Sequence, residues 1–459
     1  MIAALGYIYS LFALSAIMII GNLAIRIVWG KRLQFAFNLV LPVLLLVNMG
    51  IIYALGISGL FFGAFAINPF SLLFSGLFTL GLLTVTLIAF GYSDGYQDFA
   101  VMIAFALIGM YAVSMSSSLV TIFLGLELSS IPMVFAVLLS RRGIEAAAKL
   151  FIMASIAISV LSFAIVLLYG SSNSLALTAY PHSAVVAFAA LLFIAALGFE
   201  ASIFPFNVLI PDVYTGSSAY ITGMLGGMNK KVGFVALMQV LILVFITDSK
   251  LFLIVAALSV LTMFYGNIVA LMQRNTKRML AYSSISQAGY ILIGIATATS
   301  AGIAASIFQI FSHMFIFIGM LGVVALLESR NRNEIDELIG LNGENRFAAF
   351  AMALFMLSLI GLPLTTGFVG KFLIFLSAVN SGLLWLAIIG VLNSIISVFY
   401  YARAIMAMYT GKVSGNPIIV GKPLLAALIL CVGITIVFGV YPQPIIGLAN
   451  SAARYLIPV

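Results

Sequence analysis

Long apolar runs alternate along the whole chain with short segments that contain glycine, proline, asparagine and charged residues. Each run has the roughly 20 residues that a helix needs to cross about 30 Å of hydrocarbon. We therefore predict an all-α polytopic membrane protein with about fourteen transmembrane helices and no soluble domain. The predicted spans are residues 1–28, 33–57, 69–91, 98–117, 119–140, 145–170, 184–204, 217–245, 250–273, 277–298, 302–328, 347–378, 383–410 and 422–446.

Basic residues concentrate in the loops that follow odd-numbered spans. The opposite side holds little beyond Lys250 and Arg454. Because cytoplasmic loops retain lysine and arginine, we expect both termini to face outward, in a multi-pass protein of a prokaryotic plasma membrane. The basic residues of the odd-numbered loops are Arg26, Lys31, Arg32, Arg141, Arg142, Arg274, Lys277, Arg278, Arg330, Arg332, Arg346, Lys412 and Lys422.

Two predicted spans, the seventh and the twelfth, are interrupted by proline and glycine. Because five is odd, a duplicated unit of five spans returns upside down, so spans 4–8 and 9–13 are candidate inverted repeats with broken helices in matching places. Two unrelated kinks are the alternative, since proline is frequent in membrane helices. The break residues are Pro205 and Pro211, in the segment into which the seventh span runs, and Gly361, Pro363 and Gly367 in the twelfth span. The predicted division is 1–97, three N-terminal helices; 98–245, the first repeat; 246–410, the inverted repeat; and 411–459, the last helix.

The composition agrees with a lipid-embedded fold and excludes several functions. Of 459 residues, 64% are hydrophobic and 7% are charged, against about one quarter charged in soluble domains. The net charge of +8 is spread over short loops, which argues against nucleic-acid binding. Cys431 is the only cysteine, so disulfides and cysteine-ligated clusters are excluded. With no phosphate-binding loop, nucleophile elbow or metal-ligand spacing, we predict no cofactor, no metal and no catalytic centre in this chain.

Four ionisable side chains fall deep inside predicted spans. An ionised group at mid-bilayer costs at least about 2.5–3.5 kcal/mol, so each needs a partner, water or a function. Static buried ion pairs that fix helix packing are the alternative. The four are Glu127 in the fifth span, Glu200 before the break in the seventh, Lys230 halfway along the eighth, and Lys371 after the break in the twelfth.

Two further residues, Lys149 and His313, are weaker candidates. Lys149 lies four residues after Glu145, so a surface ion pair is as plausible as a functional role. His313 is the only histidine within a span, and its unperturbed pKa of about 6.5 would suit a proton relay, although a satisfied core histidine is a rival interpretation. Lys231 lies about 100° around the helix from Lys230, so the two cannot serve one path equally.

Lysine and carboxylate groups are suited to moving protons. Desolvation disfavours the charged form of both, and a neighbouring opposite charge reverses the effect, so moving that neighbour can load or unload a proton. The deep charges therefore predict proton translocation. A membrane-embedded transferase that depends on His313 is the alternative from another class.

Five segments together resemble the antiporter-like membrane subunits of respiratory complex I, in order and spacing over almost the whole chain. Lys371 in the twelfth span is typical of the N-type subunit, whereas the M-type usually has glutamate there. The segments are Leu126–Pro132 (LELSSIP), Glu145–Phe151 (EAAAKLF), Pro205–Gly216 (PFNVLIPDVYTG), Lys277–Tyr290 (KRMLAYSSISQAGY) and Ser358–Phe372 (SLIGLPLTTGFVGKF).

The resemblance implies roles and partners. Glu127 would be the carboxylate of the fifth span, Lys149 its neighbour in the sixth, Lys230 the central lysine and Lys371 the lysine on the outlet side. The chain would work in a hetero-oligomer with other membrane-arm subunits, while quinone, flavin and iron–sulfur clusters belong to partner subunits. Related assemblies stay open: an Mrp-type cation/proton antiporter, a membrane-bound hydrogenase or an F420H2 dehydrogenase.

Two positions depart from the family pattern. The family usually has a lysine in the seventh span, paired with the glutamate of the fifth, but this chain has Glu200. Asn207 stands where the N-type often has histidine. Two neighbouring carboxylates should share one proton, and Lys149 or Lys230 would then supply the counter-charge.

Overall fold

The chain is almost entirely helical in the computed structural model, which describes residues 2–61, 63–92, 95–140, 143–181, 183–411 and 417–457. This confirms the all-α polytopic fold. The helices are α1 Ile2–Val28, α2 Lys31–Ala54, α3 Pro69–Tyr92, α4 Tyr96–Ser114, α5 Leu119–Leu138, α6 Gly143–Ser172, α7 Ala184–Ala201, α8 Ile210–Gly216, α9 Ala219–Met224, α10 Lys230–Gln239, α11 Ser249–Leu271, α12 Thr276–Ala296, α13 Ser300–Glu328, α14 Leu341–Glu344, α15 Arg346–Ile360, α16 Thr366–Asn380, α17 Leu384–Tyr409, α18 Lys422–Val440 and α19 Gln443–Leu456.

Thirteen helical stretches in the described residues are long and apolar enough to cross a membrane. One of them, Ala219–Val244, joins α9 and α10 through π-helical segments at Leu225–Asn229 and Val240–Val244. Helices α15 and α16 have 15 residues each, about 22 Å, which is too short to span alone. Taken together as one broken span, they bring the total to the predicted fourteen.

Both predicted broken helices are present. Helix α7 ends at Ser202, whose φ of 57° is left-handed, and the chain becomes helical again at α8. Helix α15 ends at Gly361, where φ is 110°, and α16 starts at Thr366. A Cβ at Gly367 would lie 2.0 Å from the carbonyl oxygen of Ser358, so the second break depends on a close backbone approach that only glycine permits.

If successive spans alternate in direction, odd-numbered loops should contact one another and even-numbered loops should do the same. After spans nine, eleven and thirteen, the loops bond to one another, as in the amide of Asn345, which donates to the Ile418 carbonyl at 2.8 Å. After spans two and four, the loops pair in the same way, with the Ala66 amide 2.6 Å from the Met115 carbonyl. Odd and even loops thus form opposite ends. Three basic residues of the predicted asymmetry, Arg141, Arg142 and Lys412, lie outside the described residues.

Helices α12 and α13 form the centre of the molecule and are buried along their entire spanning windows. They are surrounded by α11, α16, α17, α18 and α19, and α13 also contacts α9 and α15. Both carry several polar side chains, so the centre of this protein is not purely apolar. In contrast, the outer surface of α6 is apolar, as expected for a helix that faces lipid: Phe151 is 57% exposed and Phe163 is 51% exposed.

Two elements and one helix boundary differ from what the sequence predicts. A short antiparallel hairpin pairs Gly59–Phe61 with Phe65–Ile67. The last predicted span, 422–446, is wrong at its end: α18 stops at Val440, because Pro442 and Pro444 interrupt the helix. A separate helix, α19, then packs against α3 and α13.

Candidate functional site

Lys371 lies at the second helix break and binds its backbone. Its Nζ donates to the Leu359 carbonyl at 2.5 Å and to the Ser394 hydroxyl at 2.8 Å. The Leu359 carbonyl needs this donor, because its helical partner would be residue 363, a proline without an N–H. A cation at the C-terminal end of α15 is also favoured by the helix dipole. The break and the lysine therefore form one site, completed by the Tyr290 ring, whose centroid is 4.6 Å from Nζ.

The two lysines at the start of α10 point to different partners. Lys230 donates from Nζ to the Ser284 carbonyl at 2.8 Å, with the Ser284 hydroxyl at 3.3 Å. The Nζ of Lys231 lies 2.7 Å from Nδ1 of His313. All three ionisable side chains are at most 3% exposed. The sequence predicts His313 as a separate candidate, and its contact with Lys231 depends on how α10 packs against α13.

The Lys231–His313 contact has a direct chemical meaning. A charged ammonium has no acceptor site, so the contact is a hydrogen bond only when at least one of the two groups lacks a proton. The pair therefore carries at most one positive charge while the hydrogen bond is kept. Nε2 of His313 has no partner in the described part of the chain.

Glu200 and Lys230 line one small cavity of about 30 Å³ at the first break. This is room for about two water molecules. Ser202 and Asn229 also line it, and the Ser202 hydroxyl and the Asn229 Oδ1 have no hydrogen-bond partner in the described residues. The cavity is thus a polar space between a carboxyl group and a lysine that do not touch.

Glu127 lies on α5, closer to the outer surface of the chain than the sequence suggested. It is half-buried, and its helix neighbours Leu124 and Leu128 are 58% and 37% exposed. Its carboxylate interacts electrostatically with that of Glu200, so the pair of carboxyl groups predicted from the sequence is brought together. No ion pair to Glu127 is formed within the described chain.

Lys149 is not the counter-ion of that pair. Its Nζ lies 2.7 Å from Glu145, the i,i+4 pair that the sequence allowed, and 2.9 Å from Asp212 of α8. Asp212 in turn binds Arg278 at 2.8 Å. These groups sit at the end of the odd-numbered loops and tie α6, α8 and α12 together, so Lys149 belongs to a partly exposed ion network.

Asn207, the second departure from the family pattern, lies within the first break. It is 1% exposed, and neither atom of its amide has a partner in the described residues. It does not line the cavity that contains Glu200.

The polar residues of α12 and α13 were missed as candidates. Gln309 precedes His313 by one helical turn and donates from Nε2 to Oε1 of Gln287 at 3.0 Å. The available signal was spacing: Gln309 and His313 stand at i and i+4, and Ser286 and Tyr290 do the same, so each pair shares one face. We call Glu127, Glu200, Lys230, Lys231, His313 and Lys371 the charged row.

Comparisons with known proteins assign the chain to a family. The family described as NADH:quinone oxidoreductase/Mrp antiporter, TM, matches residues 116–397, more than half of the chain. This chain belongs to that family. The matched region contains every member of the charged row, from Glu127 to Lys371, so the site lies in the part of the chain that defines the family.

Curated relatives of this antiporter-like chain are N-type subunits. Subunit N of the F420H2 dehydrogenase from Methanosarcina mazei is 33% identical over 423 residues, 86% of this chain and 85% of that protein. Subunit N of the NADH-quinone oxidoreductase from Desulforamulus reducens is 33% identical over 409 residues, 85% of this chain and 86% of that one. The predicted resemblance to the N-type is confirmed.

Solved structures give the same fold. A chain of respiratory complex I from Thermus thermophilus matches with a TM-score of 0.84 and 26% identity, covering 96% of this chain and 99% of that chain. A chain of an archaeal membrane-bound sulfane sulfur reductase matches with a TM-score of 0.89 and 25% identity, covering 97% of each. The Mrp complex from Dietzia contributes a chain of the same fold, with a TM-score of 0.89, 19% identity, and coverage of 99% and 97%. All three are multisubunit membrane assemblies.

Proposed function

We propose that this chain is a proton-translocating membrane-arm subunit of a complex I-like quinone oxidoreductase. The proposal rests on the chemical groups that the three buried lysines contact. Lys230, Lys231 and Lys371 contact carbonyl, hydroxyl, imidazole and aromatic groups, and none of them forms an ion pair within the described residues.

Static ion pairs that fix packing would have the opposite pattern. A buried lysine held for structure is paired with a carboxylate, because an unpaired buried charge is costly. That arrangement occurs here at the odd-loop end, where Lys149, Lys277, Arg278 and Arg332 all bind carboxylates. The deep lysines have neutral neighbours instead, which accept either protonation state. They are therefore suited to gaining and losing protons.

In this proposal each member of the charged row takes part in one proton transfer. Glu127 and Glu200 share a proton at the first break, and water in the cavity connects Glu200 with Lys230. Lys231 and His313 hold a proton between them in the centre, and Lys371 receives it at the second break. Transfer in this row needs only the breaking and forming of N–H and O–H bonds, with no substrate bound to this chain.

The electron chemistry belongs to other subunits. Quinone, flavin and iron–sulfur clusters are expected in partners, and the other membrane-arm subunits are the direct neighbours of this chain. We infer a prokaryotic plasma membrane with both termini outside from the basic residues of the odd-numbered loops. A transferase is disfavoured, because His313 is 0% exposed and its Nδ1 is bonded to Lys231.

Purification of the intact complex tests this function. We expect partner subunits with flavin and iron–sulfur clusters, quinone reduction, and proton uptake into liposomes during turnover. An F420H2-oxidising module would assign the same role in the assembly of the Methanosarcina relative, which is the second candidate because of the 33% identity to its subunit N. Partners without redox centres would contradict an oxidoreductase and favour a cation/proton antiporter.

A further inference from the structure

The cavity at the first break is lined by several side-chain oxygens. Ser202 is 1% exposed and Asn229 is 6% exposed, yet the Ser202 hydroxyl and the Asn229 Oδ1 have no hydrogen-bond partner among the described residues. Ser130 of α5 and the carboxyl-bearing Glu200 line the same space of about 30 Å³. Because buried polar atoms are nearly always bonded in native proteins, oxygens that converge on one cavity indicate a bound water molecule or ion.

The two helix breaks have the same backbone defect. At the second break, the Leu359 carbonyl has no helical donor because residue 363 is a proline, and the ammonium group of Lys371 donates to it instead. At the first break, Pro205 follows Ala201 at the same distance and likewise offers no N–H to the Ala201 carbonyl. Both α7 and α15 therefore end with a carbonyl that has lost its helical donor.

The first break has no corresponding ammonium group among the described residues. The lysine that lines its cavity, Lys230, donates from Nζ to the carbonyl of Ser284, which does not line the cavity. The carbonyl of Glu200 also loses its helical donor, since the Phe204 amide donates to the Thr262 hydroxyl at 3.2 Å. The negative end of the α7 dipole and the Glu200 side chain thus lie together without a protein cation bonded to them.

These groups are suited to a small monovalent cation. Carboxylate, hydroxyl and amide oxygens bind hard cations, and the C-terminal ends of broken membrane helices coordinate Na⁺ in other proteins. Glu200 supplies one carboxylate to the described lining, which matches a single positive charge. Mg²⁺ keeps several water molecules and Ca²⁺ takes about six to eight oxygens, which is more than a cavity of about 30 Å³ accommodates.

We propose that the cavity at the first break binds one Na⁺ ion, with Glu200 as its charged ligand. Ser130, Ser202 and Asn229 supply neutral oxygens. The ion takes the place that an ammonium group has at the second break, and it neutralises the Glu200 carboxylate when the proton shared by the two carboxyl groups is absent. The ion site goes beyond the proposed proton translocation and does not depend on it.

Binding of radioactive Na⁺ to the intact complex, measured by equilibrium dialysis in a potassium buffer, tests the site. Glu200→Gln keeps the side-chain size and removes the charge, and we expect this complex to bind one Na⁺ fewer than the unmodified complex. Ser202→Gly removes a neutral ligand, and glycine tolerates the left-handed φ of 57° at this position. We expect Ser202→Gly to bind the ion at least about tenfold more weakly.

Glu145→Gln is the matched control. The side chain of Glu145 is 79% exposed and belongs to the ion network at the odd-loop end, so this variant should bind as many Na⁺ ions as the unmodified complex. Equal Na⁺ binding by the unmodified and Glu200→Gln complexes would overturn the proposal.

A second measurement applies even if Glu200→Gln does not assemble. A ligand that binds only the folded state stabilises it, so the unmodified complex should melt at a higher temperature in NaCl than in KCl of equal ionic strength. Glu200→Lys should remove this difference, because its ammonium group takes the place of the ion. Equal melting temperatures of the unmodified complex in the two salts would overturn the assignment to Na⁺.

Failure of the ion site is distinguishable from failure of the proposed function. If Glu200→Gln binds Na⁺ like the unmodified complex while Lys371→Met loses proton uptake, the ion site is wrong and the proposed function stands. If Glu200→Gln loses the ion while Lys371→Met pumps normally, the ion site stands and the proposed function fails.

Discussion

Replacing Lys371 separates a structural cation from a proton carrier. Lys371→Met removes both the charge and the proton, whereas Lys371→Arg keeps a charge that does not titrate in proteins. The two variants would behave alike only if the protein needs the lysine to lose its proton. Lys250→Met, at an exposed lysine in the first turn of α11, is the matched control.

The structural cost of Lys371→Met is limited by the surrounding hydrogen bonds. The Ile360 carbonyl, which accepts from Lys371 at 3.2 Å, also accepts from the Ser394 hydroxyl at 2.9 Å and keeps that donor. The Ser394 oxygen loses the Lys371 donor but its hydroxyl keeps its bond to Ile360. The Leu359 carbonyl is left without a donor in the described residues, because Pro363 offers no N–H. One unsatisfied buried carbonyl costs about 1–3 kcal/mol, which is less than the roughly 5–15 kcal/mol of a typical fold. The variant should therefore assemble.

The assay is proton uptake by liposomes that contain the purified complex, followed with a pH-sensitive dye while a quinone is reduced. We expect Lys371→Met and Lys371→Arg to lose uptake at least tenfold, with subunit composition unchanged and Lys250→Met normal. Restoration of uptake by Lys371→Arg would refute the carrier role, since a fixed charge would then be sufficient. Loss of assembly in Lys371→Met alone would mean that the contact of Lys371 with the C-terminal end of α15 stabilises the fold by more than the roughly 1–3 kcal/mol of one unsatisfied carbonyl.

Three further predictions concern the first break, the second break and the ion network. Glu200→Lys should pump at least as well as Glu200→Ala, because a lysine beside Glu127 replaces charge repulsion by attraction. A severe loss of proton uptake in Glu200→Lys alone, in the same assay, would mean that the two carboxyl groups are needed as a pair. Gly367→Ala should lower the yield of assembled complex severalfold, since the new Cβ would clash with the Ser358 carbonyl. Gly433→Ala is the control and should leave the yield unchanged, because no atom lies within 4 Å of its Cβ. Equal yields of the two variants in gel filtration would contradict the predicted clash. Asp212→Asn should lower the melting temperature slightly, because it weakens the partly exposed bonds to two cations that tie α6, α8 and α12 together, and an unchanged melting temperature would contradict the importance of this network.

The sequence was sufficient for the membrane architecture because hydrophobic length and proline placement act locally. Apolar runs of about twenty residues define spans whatever their neighbours are. Pro363 predicts a break because it removes an N–H at a fixed place in the helix. The partner of the freed Leu359 carbonyl was not predictable, because the contact with Lys371 depends on how α16 folds back against α15.

The sequence does not predict which groups the residues of the charged row contact. Lys230 and Lys231 are adjacent in the chain, and only the packing of α12 and α13 decides that one reaches Ser284 and the other His313. For the same reason Lys149, assigned by resemblance to a place beside Glu127, binds Asp212 instead.

Glu200 is one of the two departures from the family pattern, and the structure shows its surroundings. Its carboxyl group interacts with that of Glu127 and lines the cavity with Lys230, so replacing the usual lysine leaves an ionisable group in the same place with opposite charge. The first half of the row can therefore still hold a proton, although the charge that accompanies it differs.

The central claim, that protons pass along the charged row, is tested most directly at Lys230. Among the described residues, its Nζ binds the carbonyl and hydroxyl of Ser284 and no carboxylate, so Lys230→Ala breaks no ion pair there. Proton uptake during quinone reduction should be measured in liposomes with the assembled Lys230→Ala complex beside the Lys250→Ala control. The account predicts that uptake is lost in Lys230→Ala while assembly survives; normal uptake by the assembled Lys230→Ala complex would contradict it.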